Sequence, residues 1–390
     1  MENRQPTYPG RVILTPVPGT VNTYDITRAD EPTVDGTPLN KETLLQDTTC
    51  AILGIPNTSV PNDALVKLAL GIGKYGYVIH VQYQDGSPAE GYTLTGLNAP
   101  DGTEAVTNSN GDAVGVSTEQ SVTIGVSSPY VDIQDVGAVL VQSTGVLTTE
   151  TITLQHNQFP YLISQSGNYY FSPKVKSFDL CAVGGGGGSS YAGGGGGYAT
   201  NLLDIQNENM NGLNIAIGAG GNGTSRNDIV STAGTGGSTA VKRINLTGDI
   251  GETLISSDGG GGAHSGTSVT SHTPGTGNGN GGAIFGSSGG TAYYKGSPGG
   301  DGTTYIFDEP DLGLTGGGGA SGAQTVATPA KGGSPNGAAG GYYTIGTNTY
   351  NQPGTPIVPG GGAGGGMALG NLNPPGTKGA SGGVYIRCHY

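Results

Sequence analysis

Two pentaglycine runs, Gly184–Gly188 and Gly193–Gly197, constrain this chain more than any other feature. Glycine loses more backbone entropy on ordering than any other residue and offers no side chain to bury. A chain of this kind cannot build its core there from packed hydrocarbon. The runs open a region that stays glycine-rich, because residues 171–390 hold 61 of the 78 glycines. Such a composition ordinarily marks a flexible linker. Two apolar strand patterns bracket the region and argue for a folded domain: Lys176–Val183 before it and Gly383–Tyr390 at its close. The glycines are then expected to let backbones touch.

Polyglycine packs as extended helices of about three residues per turn and ~3.1 Å rise, without internal hydrogen bonds. With no Cβ in the way, such helices lie side by side and bond across to one another. A five-residue run spans roughly 15 Å. Gly184, Gly186, Gly188, Gly193, Gly195, Gly197, Gly316 and Gly319 are the expected lattice positions. Loop sequence at the ends is free to vary without disturbing the lattice. The glycine runs share no fixed repeat length, so a solenoid is not expected. Glycine at every third residue is not sustained and proline is too scarce, which excludes collagen.

The remainder divides by composition. Residues 1–74 mix turn signals with two short helical patterns, Leu39–Leu53 and Pro61–Gly71, the second with Leu65, Leu68 and Ala69 on one face. This is too little apolar material for an independent core and reads as a segment that docks onto something else. Residues 75–145 carry strands with period-two alternation, such as Tyr77–Tyr83, Gly91–Gly96 and Ser121–Ser127. Turn clusters separate them, which predicts a small immunoglobulin-like or prealbumin-like β-sandwich spacer. Residues 146–170 supply connecting strands, Val146–Leu154 and Tyr161–Ser164, into the glycine-rich domain at 171–390. The fold class is therefore mainly β: a small N-terminal segment with short helices, a sandwich, and a glycine-rich domain of strands and packed polyglycine-II helices.

Charge excludes some partners. Residues 1–170 carry 6 basic and 17 acidic groups, whereas residues 171–390 carry 9 and 11. No basic patch neutralises phosphates, so nucleic-acid binding is disfavoured. The near-neutral glycine-rich half suits a neutral polar partner such as a saccharide. No apolar run approaches the ~18 residues of a membrane span, so no membrane insertion is expected. The N-terminus lacks a signal-peptide pattern, which predicts release by lysis or injection for action outside a cell. Cys50, Cys181 and Cys388 are too few for a disulfide framework. Cys181 and Cys388, in the first and last strands of the glycine-rich half, are read as buried thiols rather than a bonded pair.

No motif carries catalysis. Gly218–Gly223 matches G-x-G-x-x-G after a strand, but the helix that a dinucleotide site needs does not follow. The histidines lack metal spacing, and Asp308-Glu-Pro-Asp311 reads as a solvated acidic turn. Neither a cofactor, a metal nor a catalytic residue is expected. Tyrosine stands out instead, with 20 copies against 5 phenylalanines and no tryptophan. Tyrosine gives rigid amphipathic contact area at low entropic cost, while Ser, Gly and Asn adapt around it. Tyr293, Tyr294, Tyr342, Tyr343 and Tyr350 are the candidate contact residues in loops, with His272 beside them.

Two stretches resemble a known family. Tyr170-Phe-Ser-Pro-Lys-Val-Lys-Ser-Phe-Asp-Leu-Cys-Ala-Val, running into Gly184–Gly188, looks like the opening of the glycine-rich domain of phage tail-fibre and receptor-binding proteins. Gly379-Ala-Ser-Gly-Gly-Val-Tyr-Ile-Arg387 resembles that family's terminal strand. The N-terminal stretches Arg4–Pro16 and Gly36–Leu44 are similar to the start of tail proteins from phages, or phage-like contractile particles, of Gram-positive bacteria. The resemblance implies non-covalent adhesion to a bacterial surface saccharide or protein through loops at the distal end of a lattice. It also implies contact with other tail or baseplate proteins through the N-terminal segment, and a homo-oligomer, with a trimer favoured. The expected location is the tail of a virion or phage-like particle, assembled in the host cytoplasm and acting extracellularly. Cys181 and Cys388 depart from the family, where plain aliphatics are more usual.

Overall fold

A computed structural model describes residues 5–6, 11–28, 32–34, 45–71, 74–143, 147–190, 192–224, 232–264, 273–281, 284–286, 294–321, 323–324, 330–335, 337–340, 342–344, 349–356, 359–364 and 376–390. The chain is mostly β and divides into two units: Met1–Pro129 with Asp135–Gln155, and Tyr130–Gln134 with His156–Tyr390.

In the first unit, β1 (Gln5–Pro6), β2 (Val12–Pro16), β3 (Tyr24–Arg28) and β4 (Pro32–Val34) form two antiparallel pairs, β1 with β4 and β2 with β3. Two helices follow, α1 (Asp47–Leu53) and α2 (Pro61–Leu70). Within the described residues α1 begins at Asp47, and residues 39–44 of the expected longer helix lie outside them. Gly54, at φ 66°, closes α1 in the left-handed conformation. Pro61 opens α2, and Asp63 accepts the Val60 N–H at 2.9 Å.

The stripe Leu65, Leu68 and Ala69 does not face the core as its spacing suggests. Ala64 and Lys67 are the buried positions of α2, and the stripe is turned to solvent. Lys67 reaches inward because its ammonium donates to the Lys74 carbonyl at 2.7 Å and lies 5.1 Å from the centre of the Tyr75 ring. Leu45, Cys50, Leu53, Ile55 and Ala64 still make a small core. The segment is thus less bare than its composition implies.

The sheet of this unit has seven strands: β5 (Tyr75–Gln82), β6 (Thr93–Asn98), β7 (Glu104–Val106), β8 (Asp112–Ser117), β9 (Ser121–Ser127), β10 (Val136–Gln142) and β11 (Leu147–Thr153). Their order is β10-β9-β6-β8-β5-β11, with β7 beside β6. The β6–β8 junction is one residue pair, Asn98 with Val116. Tyr77, Ile79 and Val81 on β5 and Val122, Ile124 and Val126 on β9 are buried with period two. β11 runs parallel to β5 and belongs to this unit, whereas the next strand belongs to the other. The connecting span 146–170 is thus divided between the two.

The second unit contains β12 (Tyr161–Ile163), β13 (Gly167–Tyr170), β14 (Ser177–Val183), β15 (Ala199–Gln206), β16 (Met210–Ala216), β17 (Thr239–Asn245) and β18 (Ile250–Ser257). After these come β19 (Ile284–Gly286), β20 (Tyr294–Gly296), β21 (Ala323–Gln324), β22 (Tyr342–Thr344), β23 (Thr349–Asn351) and β24 (Gly383–His389). Two antiparallel four-stranded sheets, β12-β24-β14-β15 and β13-β16-β17-β18, share one apolar core. Phe178, Leu180, Ala182, Val384, Ile386 and Cys388 enter it from the first sheet, and Leu213, Ile215, Val241 and Ile255 from the second.

The far face of β14 is covered as well. Cys181 and Val183 pack there with Ile306 and Phe307 of a tight turn, so every residue of β14 is buried. This explains the apolar run Leu180–Val183. The register pairs Phe178 with Cys388 and Cys181 with Tyr385. Neighbouring residues of a strand point to opposite faces, so Cys181 and Cys388 lie on opposite faces of the sheet, and both are free thiols. Burial pushes the Cys181 thiol up to about 12 and raises that of Cys388 as well.

Tyr130–Gln134, from the loop between β9 and β10, also belongs to this unit. Buried Asp132 accepts the Ser172 N–H at 2.7 Å and its hydroxyl at 2.6 Å. Burial raises its carboxyl pKa against the pull of these bonds.

Candidate functional site

Strands lead straight into glycine. β14 runs into 184–190, β16 into 217–224 and β18 into 258–264, while 192–198, 232–238 and 376–382 lead back into β15, β17 and β24. Gly184–Ser190 is buried throughout, and its hydrogen bonds repeat every three residues. Gly184 and Gly187 donate to Tyr198 and Gly195, at 2.9 and 2.8 Å. Gly185 and Gly188 donate to Gly237 and Gly234, both at 2.9 Å, and Gly186 and Ser189 to Ala380 and Thr377, at 2.8 and 3.1 Å. Each phase of the helix thus serves one antiparallel neighbour. Its carbonyls serve parallel ones: Gly185 and Gly188 accept from Gly260 and Ala263, Gly186 and Ser189 from Gly221 and Thr224, and Gly187 from Ala363. One strand of backbone therefore has six neighbours around it. Three residues per turn, with every hydrogen bond made outward, is the polyglycine-II arrangement.

The second run is held alike. Gly195 donates to Gly261, Gly197 to Gly360, Gly275 to the Gly193 carbonyl and Gly319 to that of Gly194. Gly316 accepts from Gly279 at 2.9 Å. At all ten glycines of the two runs an added Cβ would overlap a backbone carbonyl oxygen, that of Gly361 at Gly186 and that of Thr276 at Gly195. Gly218–Gly223 is another lattice segment, which is why a dinucleotide-like spacing occurs without a following helix.

The directions of these segments fix where the lattice ends. The parallel neighbours leave at Thr224, His264 and Gly364, and the antiparallel ones start at Ala192, Thr232 and Gly376, all at the end where 190 meets 192; Thr273, which opens a segment beside the second run, pairs with His264 at this end. Polar groups close this end. The Ser189 hydroxyl donates to the Gly364 carbonyl at 2.6 Å and accepts the Thr377 N–H at 2.8 Å. The Thr377 hydroxyl shares the same carbonyl at 2.8 Å. Thr232 Oγ1 lies 2.9 Å from His264 Nδ1, and His264 and Thr273 exchange backbone hydrogen bonds. Among the described residues, hydroxyls and one imidazole make the hydrogen bonds that close this rim.

The opposite end is anchored by charge. Arg387 donates to Asp179 at 2.7 Å and to Glu309 at 2.6 Å and stacks 4.8 Å from the Phe307 ring centre. Burial works against the Asp179 charge. The Asp204 N–H, Arg387 and His389 outweigh it and hold the carboxyl below its usual value. Phe307 and Asp308 are both left-handed, at φ 53° and 59°, a costly conformation for side chains of this kind. Asn201 braces them, accepting the Phe307 N–H and donating to Tyr305 and Asp308. The acidic turn 308–311 is therefore not merely solvated. Its Asp308 and Glu309 are structural partners, which no local pattern in the sequence signals.

Of the residues singled out by the sequence, Tyr293 and His272 lie outside the described residues. Tyr294, Tyr342, Tyr343 and Tyr350 stand on short strands rather than in loops. Tyr342 and Tyr343 are on β22 and Tyr350 is on β23, with Tyr343 and Tyr350 paired in register. β21 lies parallel to β22, and Tyr294 pairs with Gly286 between β20 and β19. Sequence reading missed the rim residues Ser189, Thr377 and His264, although each directly flanks a glycine stretch. Among the described residues no group of three or more His, Cys, Asp and Glu is placed to hold a metal, and no helix is long and apolar enough to cross a membrane.

The model of a glycine-rich domain family matches residues 163–389. No curated protein matches the chain.

Proposed function

The chain belongs to this glycine-rich domain family, and from that premise we propose that it is a tail-fibre or receptor-binding protein of a phage or phage-like particle. It adheres without covalent chemistry to a bacterial surface saccharide or protein receptor. The observation that carries the reading is the shape of the lattice: six neighbouring backbones end together at one rim. A rigid scaffold that brings several chain ends to one rim suits recognition. The first unit combines a β-sandwich of immunoglobulin-like type, acting as spacer, with a segment that attaches to other tail or baseplate proteins. Several copies per particle, three in the favoured arrangement, multiply weak single sites through avidity. The protein is assembled in the host cytoplasm and acts on the tail outside it.

Adsorption of the purified chain to host cells tests this. Binding is expected to change little with salt, because the glycine-rich half is nearly neutral. Tyr294→Ala, Tyr342→Ala, Tyr343→Ala and Tyr350→Ala are each expected to weaken adsorption if they sit at a hot spot, by roughly thirtyfold, or about 2 kcal/mol. Normal adsorption by all four folded variants removes the tyrosines from the contact. Absence of adsorption by the intact chain leaves a structural tail or baseplate component, and release of reducing sugar ends identifies a depolymerase.

A further inference from the structure

The first and last strands of the seven-stranded sheet are neighbours. β11 stands at the sheet's edge, and among the described residues β5 is the one strand beside it. The two run parallel over seven register pairs, from Gly76 with Leu147 to Gln82 with Thr153. The pairing continues past the ladder. The Leu154 N–H donates to the Gln82 carbonyl at 2.9 Å, and the side-chain amides of Gln82 and Gln84 donate to Thr153 and Gln155 at 3.2 and 2.8 Å. β5 is held on its other side as well. It pairs with β8 from Tyr75 to His80, and the Tyr77 hydroxyl donates to the Glu119 carbonyl at 2.9 Å.

Parallel pairing decides how tension reaches these strands. The chain enters the sheet at the start of β5, from residues 1–74, and leaves it from the end of β11. In a parallel pair those two points lie at opposite ends of the ribbon, roughly 20 Å apart. A pull that separates them slides β11 along β5 and loads all seven pairs together. Were the strands antiparallel, both points would lie at one end, and the same pull would part the pairs one after another. A single backbone hydrogen bond contributes little in net terms, so resistance depends on breaking many at once. We infer that the β5–β11 pair is a mechanical clamp and that this sheet is a load-bearing link in the chain. The inference rests on the spacer role in the proposed function, where a head held by its host is pulled against the particle. Its experiment reads force and not adsorption, so the two fail separately.

Single-molecule pulling on the full chain tests this, with handles attached to cysteines introduced in pairs. Lys74→Cys with Gln155→Cys loads the two strands along their length. Lys74→Cys with Leu147→Cys loads them across one end. All three positions are exposed, whereas the native thiols Cys50, Cys181 and Cys388 are buried and do not compete for the handles. The lengthwise pull is expected to need several times the force of the crosswise one. A proline at the edge strand then probes the ladder itself. Alternation from Leu154 turns the Glu150 N–H towards β5, so Glu150→Pro deletes one of the loaded donors. It is expected to lower the lengthwise force and to change the crosswise force little. Gln82→Ala, which removes the side-chain bond to Thr153, serves in its place if the proline variant does not fold. Equal forces in the two directions overturn the inference. So does a lengthwise force that the folded variant leaves unchanged.

Discussion

In the sheet of the first unit the buried positions are large: Tyr77, Ile79, Tyr92, Leu94 and Ile124 are all essentially sealed from solvent. In the second unit the stretch 184–190 is equally sealed, yet only Ser189 and Ser190 have side chains there. Both regions exclude water, by different means. The first fills its interior with hydrocarbon, so stability follows apolar area and packing. The second brings peptide groups so close that they satisfy one another and leave no room for anything else. Its glycines differ accordingly. Gly86 and Gly102 in the first unit are turn residues at φ 80° and 88° with open space around them. Gly186 and Gly195 have ordinary φ and no space at all. One kind is selected for conformation, the other for absence of volume.

The sharpest way to break this comparison is to add one methyl group. Gly187→Ala places a Cβ on the Gly261 carbonyl, and the second unit is expected to lose more than about 4 kcal/mol. Gly86→Ala is expected to cost only about 1 kcal/mol, through its positive φ. Equal melting temperatures for the two variants contradict the distinction. The converse change removes volume. Ile124→Ala is expected to destabilise the first unit by about 2–5 kcal/mol in denaturant unfolding.

Asn278 sharpens the contrast further. Its amide donates to the Thr315 carbonyl at 2.6 Å and accepts from the Thr303 N–H at 3.0 Å and the Thr303 hydroxyl at 2.7 Å. Asn278→Leu keeps the volume but strands these partners, at an expected cost of about 3 kcal/mol. Unchanged unfolding of this variant shows that water replaces the amide.

The smallest effect appears only in acid. The native Asp179 pKa lies below its unfolded value, so its stabilisation is present above that value and is lost as pH falls through the native one, below about 4. Asp179→Asn is expected to flatten stability against pH in this window. An identical acid limb in both proteins assigns the loss to other carboxylates.

Much of the second unit was legible because glycine runs leave few physical options. The two runs, the strands before and after them, and the lattice itself follow from the absence of Cβ and from two short apolar patterns. Other features depend on contacts remote in sequence and left no local trace. The left-handed Phe307–Asp308 turn is held by Asn201, and the inclusion of Tyr130–Gln134 rests on Ser172. Leu65 and Leu68 have the spacing of a core stripe, but Lys67 takes the inner position because a carbonyl and a ring receive it. Periodicity shows that a face is apolar and does not say what covers it. At the candidate site, the hydroxyl network of Ser189 and Thr377 exists only once the lattice brings residues far apart in the chain together.

The threefold recurrence of donors along Gly184–Ser190 imposes a reading frame on the protein. Each residue turns its N–H by a third of a revolution, so an insertion or deletion of one residue within a lattice segment redirects every later donor to the wrong neighbour. A change of three residues restores the pairing one turn along. Length variation in lineages of this protein should therefore come in triplets inside the lattice and in any number beyond the rim.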